Sequence, residues 1–139
     1  MRVITRQIEV EIPADSGMKD ITSLIADLLQ ETGLEEGSVN VFVPGATGSI
    51  STVEYEPGLQ EDVPDALEHL APEDIDYKQH QTWNDDNGRS HVRATIMGPG
   101  VVFPFVNGKL ELGTWQNIIA INHDTCRRKR KVVVQFMGV

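Results

Sequence analysis

The chain has 139 residues, of which 40% are hydrophobic, and this is enough to bury the core of one globular domain covering residues 1–139. Its 21 acidic residues outnumber its 12 lysines and arginines, so the net charge is −9. Such a surface repels nucleic acid and anionic membranes, which excludes broad binding to either and requires that any recognition of phosphate be local.

Residues 3–12 alternate between polar and apolar side chains, which predicts a half-buried strand that ends at Pro13. Apolar residues from 21 to 29 follow the spacing of an amphipathic helix, with Asp20 as its N-cap and Gly33 as the residue that ends it. Short strands are predicted at 38–44 and 49–55. A second helix is expected from about residue 62, because Pro64 is tolerated in a first helical turn.

The second half of the chain is richer in strands. Residues 73–87 are polar and irregular, which is typical of a functional loop, and Asp85-Asp86-Asn87-Gly88 is a turn signal. Further strands are predicted at 89–95, 101–106, 109–112, 114–122 and 131–137, with a hairpin turn at Asn107-Gly108. About eight strands and two helices joined by short turns predict a mostly antiparallel α+β domain.

The strand predicted at 89–95 would place Arg89, His91, Arg93 and Thr95 on one face, since side chains alternate across a strand. Guanidinium groups match the geometry of phosphate, so this row of side chains predicts a site for an anion or a phosphate ester. A solvated strand face is the alternative.

Two residues are candidates for proton transfer. His91 is interpreted as a general acid or base, or as an imidazole that only binds a neighbouring strand or loop. Glu54 is its expected carboxylate partner, with a structural ion pair to an arginine as the alternative. We also assign Asn87, Thr47, Trp115 and Gln116 to the anion site; Trp115 is either a core indole or a platform for an aromatic ring.

The remaining polar features indicate the setting of the protein. The basic run at 127–131 opens an apolar strand and is interpreted as a charged turn or a guard against aggregation, in preference to a nucleic-acid patch. Cys126 is the single cysteine, which excludes an intramolecular disulfide and is typical of a reducing compartment. The sequence shows neither an apolar run of about 18 residues nor a signal peptide. We therefore expect a cytoplasmic protein with no membrane partner.

Two segments resemble a known family. WNDDNGRSHVRATIMGPG and the later NGKLELGTWQNI are similar to the signature of the YjbQ family, also called secondary thiamine-phosphate synthase-like proteins, and Thr52-Val53-Glu54 matches its early Thr-x-Glu strand. The resemblance implies two packed sheets with helices on one side and assembly into a homotrimer. It also implies a weak activity that joins the aminopyrimidine and thiazole phosphate halves of thiamine phosphate.

The sequence departs from this family pattern at two positions. Gly45 stands where many relatives have a histidine in a Pro-His-Thr-Thr segment, and Arg89 replaces the first histidine of a His-x-His pair. Arginine does not deprotonate to become a metal ligand, so the ligand set is reduced. We therefore expect no tightly bound metal and no cofactor, and at most a loosely held divalent ion at His91, Glu54 and His80.

Three functional hypotheses follow from these residues. In the first, the protein acts on or binds a small phosphorylated metabolite, with thiamine-phosphate-synthase-like transfer as its chemistry. In the second, it is a non-catalytic oligomer that binds an anionic metabolite. In the third, it hydrolyses a phosphate ester, which the same residues support equally well.

Overall fold

The structure, a computed structural model, describes residues 1–83 and 86–139. Within these ranges the chain forms eight strands and four helices. In chain order they are β1 Arg2–Ile12, β2 Gly17–Asp20, α1 Thr22–Thr32, β3 Glu36–Phe42, β4 Gly48–Val53, α2 Pro57–Leu70, α3 Lys78–Trp83, α4 Gly88–Met97, β5 Gly100–Val106, β6 Lys109–Leu110, β7 Asn117–Asn122 and β8 Arg128–Gly138.

The strands form two antiparallel sheets, which confirms the predicted α+β fold. The larger sheet has the order β1-β8-β3-β5-β6, and the smaller one has the order β2-β7-β4. The predicted hairpin joins β5 to β6 through Asn107 and Gly108, whose φ angles are 53° and 71°. Two positive φ angles in a two-residue loop match the twist of the flanking strands.

The core lies between the two sheets. Alternate residues of β3, β5 and β8 face inward and meet β4, β7 and α1 in one cluster, whose largest members include Ile25, Leu29, Ile50, Phe105, Ile118 and Phe136. The opposite face of β7 presents Ile119 and Ile121, which pack with Val63 of α2 and Met97 of α4. Strand β7 is therefore buried on both sides, in the middle of a three-layer arrangement of sheet, sheet and helices.

The outer face of the five-stranded sheet is not covered by any described part of the chain. The apolar side chains that it exposes are Val3, Phe42, Val102, Val106 and Met137. The strand register places these residues on the face opposite to the core, because they are the odd-numbered residues of β1 and β8 and the even-numbered residues of β3 and β5.

Helix α1 has the predicted amphipathic form. It ends at Gly33, which has the left-handed φ of 71° that glycine adopts without steric cost. The N-cap position is Ile21, one residue later than predicted, although Asp20 Oδ1 accepts a hydrogen bond of 2.9 Å from the N–H of Thr22.

The segment 89–95 is part of helix α4, so the prediction of a strand there was wrong. Its alternating polar residues also satisfy a helical period, in which Arg89, Ser90, Arg93 and Ala94 share one buried face. A Cβ on Gly88, at the start of α4, would lie 2.6 Å from Tyr77 Cβ. The helix therefore depends on glycine at this position in order to pack against the segment before α3.

Two other helices differ from the prediction. Helix α2 begins at Pro57 and not near residue 62, because Glu56 caps the N–H groups of Gly58 and Leu59 and proline needs no acceptor at a first helical position. Pro64 consequently lies inside the helix. Residues 78–83 form α3 within the predicted irregular loop, and Asp85 of the predicted turn lies outside the described residues. None of the described helices combines the length and apolar character needed to cross a membrane.

Candidate functional site

Helix α4 turns two arginines into the protein. Arg89 and Arg93 are four positions apart, lie on one helical face and are both buried. Arg89 Nη2 lies 2.8 Å from Asp15 Oδ1 and 3.7 Å from Glu73 Oε1. Partners of this kind are needed because a buried charge without one is strongly unfavourable. The binding of an external anion by Arg89 or Arg93 stays a prediction.

Arg93 links α4 to three other parts of the chain. Its Nε and Nη2 donate to the carbonyl of Ala71 at 3.2 and 3.0 Å, Nη2 also binds Glu68, and Nη1 donates to Ser16 Oγ at 3.2 Å. The N–H of Glu73, with the guanidinium of Arg93, outweighs the effect of burial and holds the pKa of Glu68 below its usual value. Arg93 therefore organises the interior behind α4.

His123 is held between two serine hydroxyls, and the sequence prediction missed it. Ser16 Oγ lies 2.8 Å from Nδ1, Ser49 Oγ lies 2.9 Å from Nε2, and all three side chains are fully buried. Because Arg93 donates to Ser16, that hydroxyl can give its own proton to Nδ1, and Nε2 then donates to Ser49. Burial, followed by the charges of Arg93 and Arg130, lowers the pKa of His123 to about 4.

Arg130 extends from β8 beneath the loop of residues 45–48. Its Nη2 donates to the carbonyl of Thr47 at 3.1 Å, to Thr47 Oγ1 at 2.7 Å and to Asn122 Oδ1 at 2.6 Å. Its Nε is buried and has no acceptor among the described residues. A Cβ placed on Gly45 would lie 3.4 Å from Nη1. Thr47, predicted as an anion ligand, is thus a buried contact of this arginine.

Asp124 is paired with a different arginine of β8. Its Oδ2 lies 3.1 Å from Nε and 2.9 Å from Nη2 of Arg128. Burial alone would raise the pKa of Asp124, but the N–H of Thr125 and the guanidinium of Arg128 outweigh it and keep the pKa low. The Asn87 side chain lowers this pKa further, which places Asn87 beside Asp124 at the start of α4.

A depression of about 210 Å³ lies between α4 and the 45–48 loop. Its lining consists of Gly45, Ala46, Gly48, His91, Ala94, Thr95 and Pro99. Of these residues only His91 ionises, and it is half-buried. Small side chains around one imidazole leave room for a ligand group against α4, and the role of His91 as an acid or base stays a prediction.

The other predicted residues lie at the far end of β4. Gln116 Nε2 donates to Thr52 Oγ1 at 3.3 Å, and Trp115 beside it is 72% exposed. Glu54 directly follows β4 and is exposed. It follows Gly48 by six positions, which is about 20 Å along a strand. A single chain therefore does not bring Glu54, Trp115 or Gln116 to the depression that contains His91.

No described group of three or more histidine, cysteine, aspartate or glutamate side chains is arranged to hold a metal ion. The predicted loose site would need His91, Glu54 and His80, and Glu54 is separated from His91 as above. Gly45 and His91 do line the same depression, so a histidine at position 45 would face His91 there. The expectation of no tightly bound metal stays a prediction.

Comparison with known proteins decides the family. Residues 6–139 match the model of the family described as UPF0047 protein YjbQ-like. The chain belongs to this UPF0047 family, and the resemblance seen in the sequence is confirmed. It is 33% identical to a UPF0047 protein of Methanothermobacter thermautotrophicus, over 94% of this chain and 90% of that protein. Against a UPF0047 protein of Archaeoglobus fulgidus it is 36% identical, over 82% of this chain and 86% of that protein.

Two solved structures share the fold of this chain. A YbjQ-like protein of unknown function from Sulfolobus solfataricus superposes with a TM-score of 0.93 at 32% identity, over 99% of both chains. A hypothetical protein from Aeropyrum pernix gives a TM-score of 0.90 at 31% identity, over 98% of this chain and 99% of that one. The similarity covers whole chains, so all of the elements described above belong to the UPF0047 fold.

One signal in this UPF0047 sequence could have revealed Arg130. The alternation that buries Val132, Val134 and Phe136 in β8 also turns Arg130 towards the core side of the strand. Interpreting residues 127–131 as a charged turn or a guard against aggregation overlooks this alternation. No comparable signal marks His123, since its partners Ser16 and Ser49 are 107 and 74 positions away.

Proposed function

We propose that the protein binds a small phosphorylated or otherwise anionic metabolite in the depression beside His91. The observation that carries this proposal is the lining itself, which contains no acidic side chain although the chain has a net charge of −9. Arg89 and Arg93 lie on the buried face of the helix that supplies His91. A local site of this kind attracts an anion even though the remote surface is acidic, because remote charges are screened by salt.

The proposal includes assembly into a homotrimer through the outer face of the five-stranded sheet. This face exposes Val3, Phe42, Val102, Val106 and Met137, and contiguous apolar surface of this kind marks interaction sites. A groove of about 570 Å³ crosses it, and Pro99 lines both this groove and the depression beside His91. A second copy seated on the sheet would therefore come to the edge of the depression.

A site shared between copies gives the exposed residues at the end of β4 a role. Glu54, Trp115 and Gln116 are separated from His91 within one chain, yet the family resemblance places all four in the shared signature. In a ring of identical chains, the end of β4 of one copy can approach the depression of the next. Trp115 would then stack on an aromatic ring of the ligand, and Glu54 would transfer a proton opposite His91.

Measuring turnover distinguishes the three forms of this hypothesis, which are transfer chemistry, non-catalytic binding and phosphate-ester hydrolysis. We propose weak transfer chemistry in which the ring nitrogen of the thiazole phosphate bonds to the methylene carbon of an aminopyrimidine diphosphate ester, the carbon–oxygen bond to diphosphate breaks, and diphosphate leaves with the electron pair. His91 is the acid or base that handles the proton of the departing group. His91→Gln should lower that turnover by roughly 100-fold or more while phosphate binding changes little. The matched control is His69→Gln, since His69 is exposed on α2 and, among the described residues, is hydrogen-bonded only to its own helix.

The outcomes of this experiment are distinct. Phosphate binding without turnover of either the transfer substrates or a simple phosphate monoester would establish a non-catalytic binding protein. Hydrolysis of the monoester that is lost in His91→Gln would establish the esterase. Absence of phosphate binding, measured by calorimetry at constant ionic strength, would overturn the proposed function in all three forms.

A further inference from the structure

Arg130 is unusual among the described arginines of the interior because it makes no ion pair within the described ranges. Arg89 is paired with Asp15 and Arg93 with Glu68. Arg130 instead binds neutral oxygens of Thr47 and Asn122. It therefore contributes a positive charge that no carboxylate of the described residues contacts directly.

The hydrogen bonds of Arg130 are also incomplete. All three come from Nη2, whereas a guanidinium offers five N–H groups in all. Nε is buried without an acceptor, and Nη1 makes no hydrogen bond within residues 1–83 and 86–139. A buried donor without an acceptor is costly, so an oxyanion that supplied acceptors would be strongly favoured here.

Asp124 does not neutralise this charge. Burial lowers the pKa of Arg130, and the nearby charge of Asp124 only partly offsets that effect. Both of the close contacts that Arg128 makes are to Oδ2 of Asp124, and Oδ1 accepts from the N–H of Thr125. The carboxylate is therefore occupied by other donors, and Arg130 keeps its unpaired nitrogens.

Glycine at position 45 leaves the space over Nη1 open. The nearest atom that a Cβ at Gly45 would meet is Nη1 of Arg130, at 3.4 Å. Gly45 and Ala46 line the depression beside His91, and their backbone N–H groups make no hydrogen bond within the described part of the chain. Unpaired backbone donors next to a guanidinium form the kind of concave surface that binds anions.

We propose that Arg130 holds the phosphate group of the bound metabolite, with one phosphate oxygen reaching Nη1 through the opening at Gly45 and the backbone N–H groups of Gly45 and Ala46 completing the subsite. This inference rests on the proposed function and assigns its anion to a residue different from Arg89 and Arg93. The ligand class is a phosphate monoester or free phosphate, both of which present the same tetrahedral oxyanion. His91, on the facing wall, is left free to act on the rest of the ligand.

The test measures the binding of inorganic phosphate to the intact chain by calorimetry, at constant ionic strength and below the melting temperature of every variant. Arg130→Gln should weaken binding by roughly 10-fold or more, because charge-assisted hydrogen bonds are lost. Arg127→Gln is the control. It removes the same charge three positions earlier in the chain, where Arg127 pairs with Glu11 on the surface, and it should leave the affinity for phosphate within about 2-fold of the wild type.

A second variant covers the case in which Arg130→Gln fails to fold. Gly45→Ala keeps Arg130 and its bonds to Thr47 but fills the space over Nη1, so it should also weaken phosphate binding by roughly 10-fold. The φ of Gly45 is 133°, so an alanine at this position is also strained. The control for this strain is Gly33→Ala, which has a φ of 71° and an open surrounding, and which should bind phosphate normally.

The results separate this inference from the proposed function. Wild-type affinity in both Arg130→Gln and Gly45→Ala would overturn the role of Arg130 and leave the proposed function standing. Loss of binding in Gly45→Ala, with binding retained in Gly33→Ala and Arg127→Gln, would support the inference. Failure of the wild type to bind phosphate would overturn both. Comparing inorganic phosphate with a phosphate monoester then shows which source of the oxyanion the site prefers.

Discussion

Ser16 Oγ lies 2.8 Å from Nδ1 of His123, and both side chains are fully buried. Ser16 has a φ of 67°, which is unfavourable for a residue with a Cβ, so the surrounding contacts hold its backbone in place. Arg93 donates to the same hydroxyl, which joins β7, the turn before β2 and α4 through one oxygen atom. Because of this connection, the stability of the fold depends on the protonation state of His123.

The free energy of unfolding should fall as the pH falls from about 6.5 to about 4. The pKa of His123 is about 4 in the folded chain and 6.5 in the unfolded one, so the unfolded state binds more protons in this window. Stability is complete above pH 6.5, and we expect a loss of about 2 to 3 kcal/mol by pH 4.5. Urea unfolding at each pH measures this loss. In His123→Gln it should be largely absent, whereas His69→Gln should keep it; equal pH dependence in all three proteins would contradict the assignment.

Removing Arg93 should destabilise the protein by about 2 to 4 kcal/mol, because Ser16 Oγ and the carbonyl of Ala71 lose their donor in the interior. Glu68 is half exposed and can be solvated, which limits the cost. Arg93→Met in chemical denaturation measures the effect. Arg127→Met is the matched control, since its pair with Glu11 is exposed on both sides and should contribute less than about 1 kcal/mol. A similar loss of stability in both variants would show that the effect comes from removing one positive charge and not from the hydrogen bonds of Arg93.

The assembly should depend on the outer face of the five-stranded sheet. Light scattering should give a mass near 46 kDa, about three times the 15.4 kDa of one chain. Val102→Glu places a charge on this face and should shift the mass towards the monomer. Leu70→Glu is the control, because Leu70 is 65% exposed on α2 and Val102 is 59% exposed. A monomeric wild type, or dissociation by Leu70→Glu instead, would overturn this interface.

Zinc should not remain bound at one ion per chain after extensive dialysis. Position 45 has no side chain, and the guanidinium of Arg130 lies beneath it and repels a cation. Gly45→His should raise zinc affinity above that of the wild type, since imidazoles at positions 45 and 91 would line the same depression. Gly33→His, on the C-cap of α1, should not. Elemental analysis measures the ion content, and stoichiometric zinc in the wild type would contradict this prediction.

The fold was predictable where one periodicity dominated. The alternation of β1, the amphipathic pattern of α1 and the turn at Asn107-Gly108 each point to one local structure. Segment 89–95 misled because Arg89 and Arg93 each lie two positions from His91, one before it and one after it. That spacing satisfies a strand face, while the four-residue spacing between the two arginines satisfies a helix equally well. Packing of Gly88 against Tyr77 decides between them, and only the tertiary structure shows it.

The candidate site was predictable in its residue types but not in its geometry. His91 could be singled out from its polar neighbours, and it does line a depression. The sequence does not reveal the internal partners of Arg89 and Arg93. Asp15 lies 74 positions from Arg89, and Glu68 lies 25 positions from Arg93. Long-range pairing of this kind leaves no local pattern in the sequence.

The separation of Glu54 from His91 has a genetic consequence in an oligomer whose sites are shared between copies. A chain with His91→Ala still carries an intact end of β4, and a chain with Glu54→Ala still carries an intact depression. When equal amounts of the two inactive chains assemble at random, about one contact in four joins two intact halves. Cells that express both inactive chains would therefore regain activity, whereas cells that express only one of them would have none.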